Sequence, residues 1–220
     1  MPKYHLHYFN GRGRAEVARL LFVAAGVEFE DVRIPFSQED PGLNTWKEKK
    51  STYPYKQVPV LYIDGVERPL TQSFAIHRYL AREFGMIGKD SFETALVEEV
   101  IELTTEIWMP MAIAKWERDE TRRAELTKQF RENKCPTVLG YLEEVLRRNN
   151  GGDGFFVGDS LTVADLAVYN TLESMLVKPY LGTDWKPAMA KFPKLEALFH
   201  RISKIPTIAA YFEKRPDFSF

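Results

Sequence analysis

The period of the hydrophobic pattern changes once along the chain, near residue 85, and this change constrains the fold more than any other feature. Before it, the short runs Tyr4–Phe9, Phe29–Ile34 and Val58–Ile63 are aromatic, alternating or β-branched and predict strands. Two segments with helical spacing, Ala15–Ala25 and Phe74–Phe84, lie between and after them. The order β-α-β, loop, β-β-α predicts a small mixed sheet with helices packed on it.

Turn and capping residues mark the ends of these segments. The Asp64-Gly65 pair precedes Val66–Pro69, and Asp-Gly between two such runs predicts a β-hairpin. Gly26 falls where the first helix is expected to end, and Ser73 is expected to cap the second.

The chain after about Glu93 is predicted to be helical throughout. Apolar residues recur at helical spacing, and Pro110 is expected to kink the first of these helices. Thr162–Asp165 has the pattern of a capping box that opens a later helix. The sequence therefore predicts two domains, a mixed α/β domain over residues 1–85 and an all-α domain over 86–220. The predicted helices are Glu93–Arg118, Glu120–Arg148, one from the capping box to about Val177, Pro193–Ile202 and Pro206–Lys214.

Composition and charge exclude several functional classes. The chain has 220 residues and carries 30 Lys and Arg against 31 Asp and Glu, so it lacks the basic excess usual for nucleic-acid binders. Its longest strongly apolar stretch, Leu20–Val27, is too short to cross a bilayer. Cys135 is the only cysteine, so neither an internal disulfide nor a dithiol motif is available. We therefore expect a protein of a reducing, aqueous compartment, with no nucleic-acid or membrane partner.

One edge of the predicted sheet suits a peptide-like ligand. Tyr8 ends the first strand, next to the tip of the following helix. Pro59 has no amide N–H, so it belongs at the start of the third strand rather than within it. If the Val58–Pro59 bond is cis, the backbone N–H and C=O of Val58 turn outward, where they can pair with an extended peptide.

The same edge offers two places for anions. Gln72 and Ser73 lie at a predicted helix N-terminus, where free amide groups and the helix dipole attract a carboxylate. Trp46 and Lys50 fall in the loop before the third strand, within reach of a second carboxylate. Together with the Tyr8 phenol, these groups predict a short peptide ligand with two carboxylates and a thiol between them.

Five motifs occur in order along the chain: Tyr8–Glu16, Gln57–Leu61, Gln72–Ile76, Arg78–Leu80 and Ser160–Asp165. In their order and spacing they resemble the sigma class of cytosolic glutathione S-transferases, and the resemblance extends from Pro2 to near Arg215. It implies a thioredoxin-like N-terminal domain, an all-α C-terminal domain that shapes the electrophile site and the dimer interface, a homodimer, a cytoplasmic location and glutathione as co-substrate.

The resemblance also implies individual roles. Tyr8 corresponds to the catalytic tyrosine, which donates a hydrogen bond to the glutathione sulfur, and Arg14 corresponds to the arginine beside it. Val58 corresponds to the residue that pairs with the cysteinyl backbone of glutathione. Trp46 and Lys50 correspond to the residues that hold the glycyl carboxylate, and Gln72 and Ser73 correspond to those that hold the γ-glutamyl carboxylate. Phe9, Gln57 and Pro59 are also implied as glutathione contacts.

Glu106 stands where the family usually has an aspartate that reaches the γ-glutamyl amine of glutathione in the other subunit. Glu102 shares its helix face, and relatives can bind a divalent cation between subunits with acidic residues in this region. Thr105 replaces one of those carboxylates here, which removes an oxygen ligand that a hard cation prefers. We therefore expect no bound metal.

The second substrate of this family binds between the two domains. Some sigma-class relatives isomerise prostaglandin H2 to prostaglandin D2, but Ile113 stands where those enzymes have a large aromatic residue, and Ala167 is smaller than its counterpart. The sequence therefore favours conjugation of glutathione to small hydrophobic electrophiles, with a glutathione-dependent prostaglandin D isomerase as an alternative. The residues that the resemblance places on the electrophile wall are Phe9, Gly13, Trp108, Met111 and Ile113.

A structural, crystallin-like protein is the other alternative. The lens crystallins of cephalopods share this fold, and an insertion in their helical domain typically obstructs the electrophile site. No long insertion is evident here, because Lys115–Arg123 continues directly into the next predicted helix. The complete set of glutathione contacts also favours an active enzyme.

Overall fold

The chain forms two compact units. One lies within Met1–Phe84 together with Pro206–Phe220, and the other is Gly85–Ile205. Their boundary falls where the hydrophobic period changes, but the last helix of the chain groups with the first unit rather than with the other helices. The computed structural model describes residues 3–35, 43–177, 179, 181–182 and 184–216.

Among the described residues, the first unit contains a sheet with the strand order β2-β1-β3-β4. β1 runs parallel to β2 and antiparallel to β3, and β4 pairs antiparallel with β3. Leu6 lies opposite Leu61 in the central pair, and both side chains are fully buried. The predicted mixed sheet is therefore confirmed. The strands are β1 (Tyr4–Phe9), β2 (Phe29–Ile34), β3 (Val60–Ile63) and β4 (Leu70–Thr71).

The helices are α1 (Glu16–Ala25), α2 (Leu43–Lys49), α3 (Ser73–Glu83), α4 (Ser91–Trp116), α5 (Glu120–Gln129), α6 (Cys135–Arg148), α7 (Val163–Leu176), α8 (Lys186–Met189), α9 (Pro193–Ser203) and α10 (Pro206–Lys214). In the first unit, α1 packs against both α3 and α10. Its Phe22 is fully buried and stacks on Phe29 with 4.3 Å between ring centroids.

The second unit is built around α7, which is buried along most of its length and packs against α4 and α9. The predicted capping box at its start is confirmed. The backbone N–H and the hydroxyl of Thr162 each donate to the Asp165 carboxylate at 2.8 Å, and the N–H of Phe156 donates to its other oxygen at 2.8 Å. None of the helices that the structure describes is long and apolar enough to cross a bilayer.

Two strand predictions near the hairpin were wrong. β3 begins at Val60, two residues later than predicted, because Pro59 has no N–H to donate to the sheet. The segment Val66–Pro69 is not a strand, and the short β4 follows it instead. Val66 is 54% exposed, so this segment buries too little apolar surface to form a strand there.

The predicted helix Glu120–Arg148 is helical throughout, but its hydrogen-bond pattern is not uniform. A π-helical turn, Phe130–Lys134, divides it into α5 and α6. Pro136 lies in the first turn of α6 and cannot donate the i to i−4 hydrogen bond that a continuous α-helix requires. α4, by contrast, continues through Pro110.

Candidate active site

A cavity of about 290 Å³ in the first unit is lined by residues from separate segments of the chain. Apart from Tyr8, every glutathione contact that the sequence predicts in this unit lies in its lining. The fold therefore brings these residues together, although they are far apart in the sequence. The lining residues are Phe9, Arg14, Trp46, Lys50, Pro54, Tyr55, Lys56, Gln57, Val58, Pro59, Thr71, Gln72 and Ser73.

Basic side chains give this cavity its electrostatic character. Arg14, Lys50 and Lys56 line it, and the described residues of the lining include neither Asp nor Glu. The first turn of α3 adds amide groups that have no acceptor within the helix. The cavity is thus suited to an anionic ligand.

Tyr8 is 8% exposed and lies directly behind this lining, because its hydroxyl oxygen accepts a hydrogen bond of 3.1 Å from the N–H of Arg14. Burial raises the pKa of Tyr8, although the Arg14 hydrogen bond and the charges of Arg14 and Arg19 oppose that effect. The phenol is therefore protonated at neutral pH. Its oxygen already accepts from Arg14, so its own proton is available to another acceptor.

The sequence predicts that Val58 pairs through its backbone with an extended peptide if the Val58–Pro59 bond is cis. The Val58–Pro59 peptide bond is cis, and both residues line the cavity immediately before β3. Pro59 thus stands outside the hydrogen-bonded ladder, as its missing N–H requires.

The start of α3 differs from the prediction that Ser73 caps the helix. α3 begins at Ser73, and Gln72 occupies the N-cap position with a φ of 69° and no side-chain capping bond within the described residues. This left-handed backbone turns the chain from β4 into α3 within one residue, so Ser73 already lies in the helix. Gln72 is exposed and Ser73 is buried.

Trp46 and Lys50 lie in helical structure and not in the loop that was predicted. Trp46 belongs to α2, and Lys50 begins the short 3-10 helix Lys50–Thr52. The Trp46 ring lies 4.9 Å from that of Phe9 and 5.7 Å from that of Tyr53, centroid to centroid. These aromatic contacts hold the indole at the cavity.

Gly13 packs its backbone against the Tyr8 hydroxyl. Its φ is +39°, and a Cβ placed there would lie 2.5 Å from the Tyr8 Oη. We expect Gly13→Ala to lower the free energy of unfolding by about 1–2 kcal/mol and turnover by about tenfold or more, because both the backbone and the phenol must shift.

Gly26→Ala is the matched control for this prediction. Gly26 has a φ of +66°, but a Cβ there would meet nothing within 4 Å. Gly26→Ala should lower the free energy of unfolding through backbone strain alone and leave the rate of turnover unchanged. Urea denaturation and initial rates of the glutathione conjugation that the sequence resemblance implies measure the two effects. Equal turnover in both variants would contradict the assigned contact between Gly13 and Tyr8.

A buried ionic cluster supports the segment that carries Arg14, and sequence reasoning missed it. Arg19 is fully buried and donates to Glu16 at 3.0 Å, to both oxygens of Asp31 at 3.1 Å and to the carbonyl of Gly11 at 2.7 Å. Its guanidinium carbon lies 5.8 Å from the centroid of the Tyr8 ring. Arg19 therefore fixes the segment that follows β1. A Glu and an Arg three residues apart give no sequence signal of burial.

Tyr211 of α10 and Arg215, the residue just after α10, complete this cluster. The Tyr211 hydroxyl donates to Glu16 at 3.0 Å, and the Arg215 guanidinium donates to the same oxygen at 2.7 Å. Burial alone would raise the pKa of Glu16, but the charges of Arg19 and Arg215 outweigh burial and hold that pKa below its ordinary value.

His77 is a second residue that the sequence did not single out. It is buried in α3, and its Nε2 lies 3.3 Å from the carbonyl oxygen of Arg14. Burial lowers the pKa of His77 to about 4. The imidazole is thus neutral in the folded protein down to about pH 4, whereas an unfolded chain protonates it below about pH 6.5.

This difference predicts a loss of stability in acid. As the pH falls from about 6.5 to about 4, only the unfolded state gains a proton on His77, so the free energy of unfolding falls by up to about 3 kcal/mol. His77→Gln removes the titrating group and should flatten this part of the profile. Urea denaturation at several pH values tests the prediction, and identical slopes for the two proteins would contradict it.

The candidates of the second unit lie on α4. Glu106 forms an ion pair with Lys134, and the Trp108 indole N–H donates to the hydroxyl of Thr171 at 2.9 Å. Met111 is buried, whereas Ile113 is 56% exposed and lines an apolar groove of about 550 Å³. Phe9 and Gly13, the other predicted electrophile contacts, belong to the first unit.

Cys135 and His5 add no reactive group to this cavity. Burial raises the pKa of Cys135 to about 12, so its thiol is not a nucleophile at neutral pH. His5 bonds to Glu30 at 2.6 Å and to Asp64 at 3.1 Å. Within the described ranges, no three His, Cys, Asp or Glu side chains are grouped so as to hold a metal ion.

Comparison with known proteins decides the family. Residues 4–82 match the glutathione S-transferase N-terminal domain, and residues 105–215 match the glutathione S-transferase C-terminal domain. The chain belongs to the glutathione S-transferase family. The transferase is 37% identical over 220 residues to S-crystallin SL11 of Nototodarus sloanii, with 100% of both chains covered.

Two further relatives place the transferase near the sigma class. It is 36% identical over 217 residues to hematopoietic prostaglandin D synthase of Gallus gallus, with 98% of each chain covered. The structure of the Fasciola hepatica sigma class GST matches it with a TM-score of 0.85 and 29% identity, over 100% of this chain and 99% of that one. These likenesses identify a sigma-like glutathione transferase with a thioredoxin-like N-terminal domain and a helical C-terminal domain.

Proposed function

We propose that the transferase binds glutathione in the cavity of its first unit and conjugates its sulfur to small hydrophobic electrophiles. The observation that carries this proposal is a cavity lined by Arg14, Lys50 and Lys56 beside a buried, protonated Tyr8. Glutathione has two carboxylates at its ends and a thiol between them, which fits this arrangement of charge around a hydrogen-bond donor.

Tyr8 is proposed to stabilise the thiolate. A free thiol has a pKa of about 8.5, so only about 3% is ionised at pH 7. A drop of about two pKa units would ionise roughly three-quarters of it, at about 2.7 kcal/mol. A phenol that donates to sulfur, with Arg14 nearby, favours the anion in this way. Arg14 thereby contributes both its backbone, through the bond to Tyr8, and its side chain at the cavity.

Ionisation alone does not explain catalysis of this reaction. Nucleophilicity falls as the thiol pKa falls, with a slope of about 0.4–0.5, so the net gain from ionisation is only a few-fold. Holding the thiolate against a bound electrophile must supply much of the remainder. Of the residues that the sequence assigns to the electrophile, we propose that Phe9, which lines the cavity of the first unit, contacts it.

A prostaglandin D isomerase is the second candidate function, because the chain is 36% identical to a hematopoietic prostaglandin D synthase. Ile113 and Ala167, which replace larger residues of those enzymes, favour the conjugating activity over it. The likeness to S-crystallin SL11 makes a structural protein the third candidate.

Binding and turnover together separate these candidates. We expect calorimetry to detect binding of glutathione. We also expect the protein to conjugate glutathione to 1-chloro-2,4-dinitrobenzene faster than the uncatalysed reaction. Turnover of prostaglandin H2 to prostaglandin D2 without conjugation would favour the isomerase. Binding without either reaction would favour a structural protein, and no binding would refute the glutathione site.

We further propose a cytoplasmic homodimer with a role in detoxification. Members of this family are typically dimers, and Glu106 would then contact glutathione in the partner subunit with the carboxylate that Lys134 holds in its own chain. Sedimentation velocity tests the dimer, and a monomer at micromolar concentration would contradict it.

A further inference from the structure

Arg14 is held through both of its backbone polar groups. Its N–H donates to the Tyr8 hydroxyl at 3.1 Å, and its carbonyl oxygen lies 3.3 Å from Nε2 of His77. A carbonyl can only accept, so Nε2 carries the proton and His77 is the donor. The two bonds link the end of β1, the segment after it and α3.

His77 is suited to a fixed position. It lies in α3, is 5% exposed, and its ring packs edge-on against Phe74 with 5.8 Å between centroids. Burial keeps the ring neutral, so the ring has one N–H to donate, and the carbonyl of Arg14 accepts it. Without that donor, the carbonyl of Arg14 would lose its bond to α3. Arg19 would still hold Gly11, but the backbone of Arg14 itself would be held less firmly beside Tyr8.

We propose that His77 is a positioning residue for thiolate formation: it holds the backbone of Arg14 so that its N–H stays on the Tyr8 oxygen and the Tyr8 proton is directed to sulfur. This inference rests on the proposed function, because it concerns the reaction assigned to Tyr8. His77 itself touches neither glutathione nor the electrophile in this scheme. It acts through Arg14, which lines the cavity.

Three variants test this proposal. His77→Leu removes the donor, His77→Gln keeps an N–H donor on a side chain of similar reach, and His200→Leu is the control at an exposed histidine of α9. The readouts are hydrogen exchange of the Arg14 amide, the pKa of bound glutathione from the ultraviolet absorbance of its thiolate, and kcat and KM. Tyr8→Phe is measured beside them.

We expect His77→Leu to speed exchange of the Arg14 amide about tenfold or more, to raise the thiol pKa and to lower kcat about five- to tenfold, with the KM for glutathione unchanged. His77→Gln should restore most of each effect, and His200→Leu should match the native protein. This set of results would support the positioning role.

Other outcomes would overturn it. Faster amide exchange with an unchanged thiol pKa and kcat would make His77 structural only. If the Arg14 amide exchanged in His77→Leu at the same rate as in the native protein, the bond from His77 to Arg14 would not hold the segment. A thiol pKa that Tyr8→Phe leaves unchanged would instead refute the role of Tyr8, and with it this inference, whatever the amide exchange shows.

Discussion

Tyr8→Phe is expected to lower kcat for glutathione conjugation about 10- to 100-fold while changing the KM for glutathione less than about twofold. The substitution removes one hydrogen bond to a charged sulfur, a loss of about 1.5–3 kcal/mol. The cavity residues that we propose to bind the carboxylates of glutathione, such as Lys50 and Ser73, stay in place and should keep the affinity for glutathione. Steady-state kinetics with 1-chloro-2,4-dinitrobenzene measure the change, and the pKa of the bound thiol should rise with it.

Tyr141→Phe is the matched control for the loss of a phenol oxygen. Tyr141 is 51% exposed on α6, in the other unit, and should behave like the native protein. If kcat and glutathione affinity fell equally in Tyr8→Phe, Tyr8 would be a binding residue. If neither changed, the assigned role of Tyr8 would be wrong.

Arg19→Leu is expected to cost about 3–5 kcal/mol of the free energy of unfolding. The substitution removes the cation that Glu16 and Asp31 share and leaves the fully buried Glu16 with Arg215 as its remaining cation. It also frees the carbonyl of Gly11, which Arg19 holds at 2.7 Å, so turnover should fall as well. Urea denaturation at neutral pH measures the loss of stability.

Two further variants show whether burial is the cause. Arg122→Leu removes an arginine whose side chain is 70% exposed and pairs with Glu117 at 3.3 Å, and it should cost less than about 1 kcal/mol. Glu16→Gln in the Arg19→Leu background should recover part of the loss, because it removes the buried charge. Equal costs for the two arginine variants would contradict the proposed role of the buried cluster.

Much of the fold follows from local sequence patterns. The predicted bounds of Tyr4–Phe9, Phe29–Ile34 and Pro206–Lys214 agree with β1, β2 and α10, because their hydrophobic period and end signals are clear. The run Val66–Pro69 forms no strand because it buries too little apolar surface, and a π-helical turn interrupts the regular helix just before Pro136. Hydrophobic periodicity reports neither burial nor which backbone groups find a hydrogen-bond partner.

The candidate site could be predicted only in part. Its lining residues carry motifs, so the sequence alone placed Tyr8, Val58 and Ser73 at one edge of the sheet. The groups behind that lining could not be placed in this way. His77 and Arg19 reach Arg14 and Gly11 from α3 and α1, and no spacing along the chain predicts those contacts.

The sequence by itself determined where the hydrophobic pattern changes from the mixed α/β part to the helical part, most of the strands and helices, and the motifs that identify the family. These depend on residue type and short spacing, which a sequence contains directly. Only the tertiary structure decided that α10 packs on α1, that Glu16 and Arg19 are buried, and that His77 holds Arg14. Burial and hydrogen-bond partners arise when distant segments meet, so they depend on packing that no local pattern specifies.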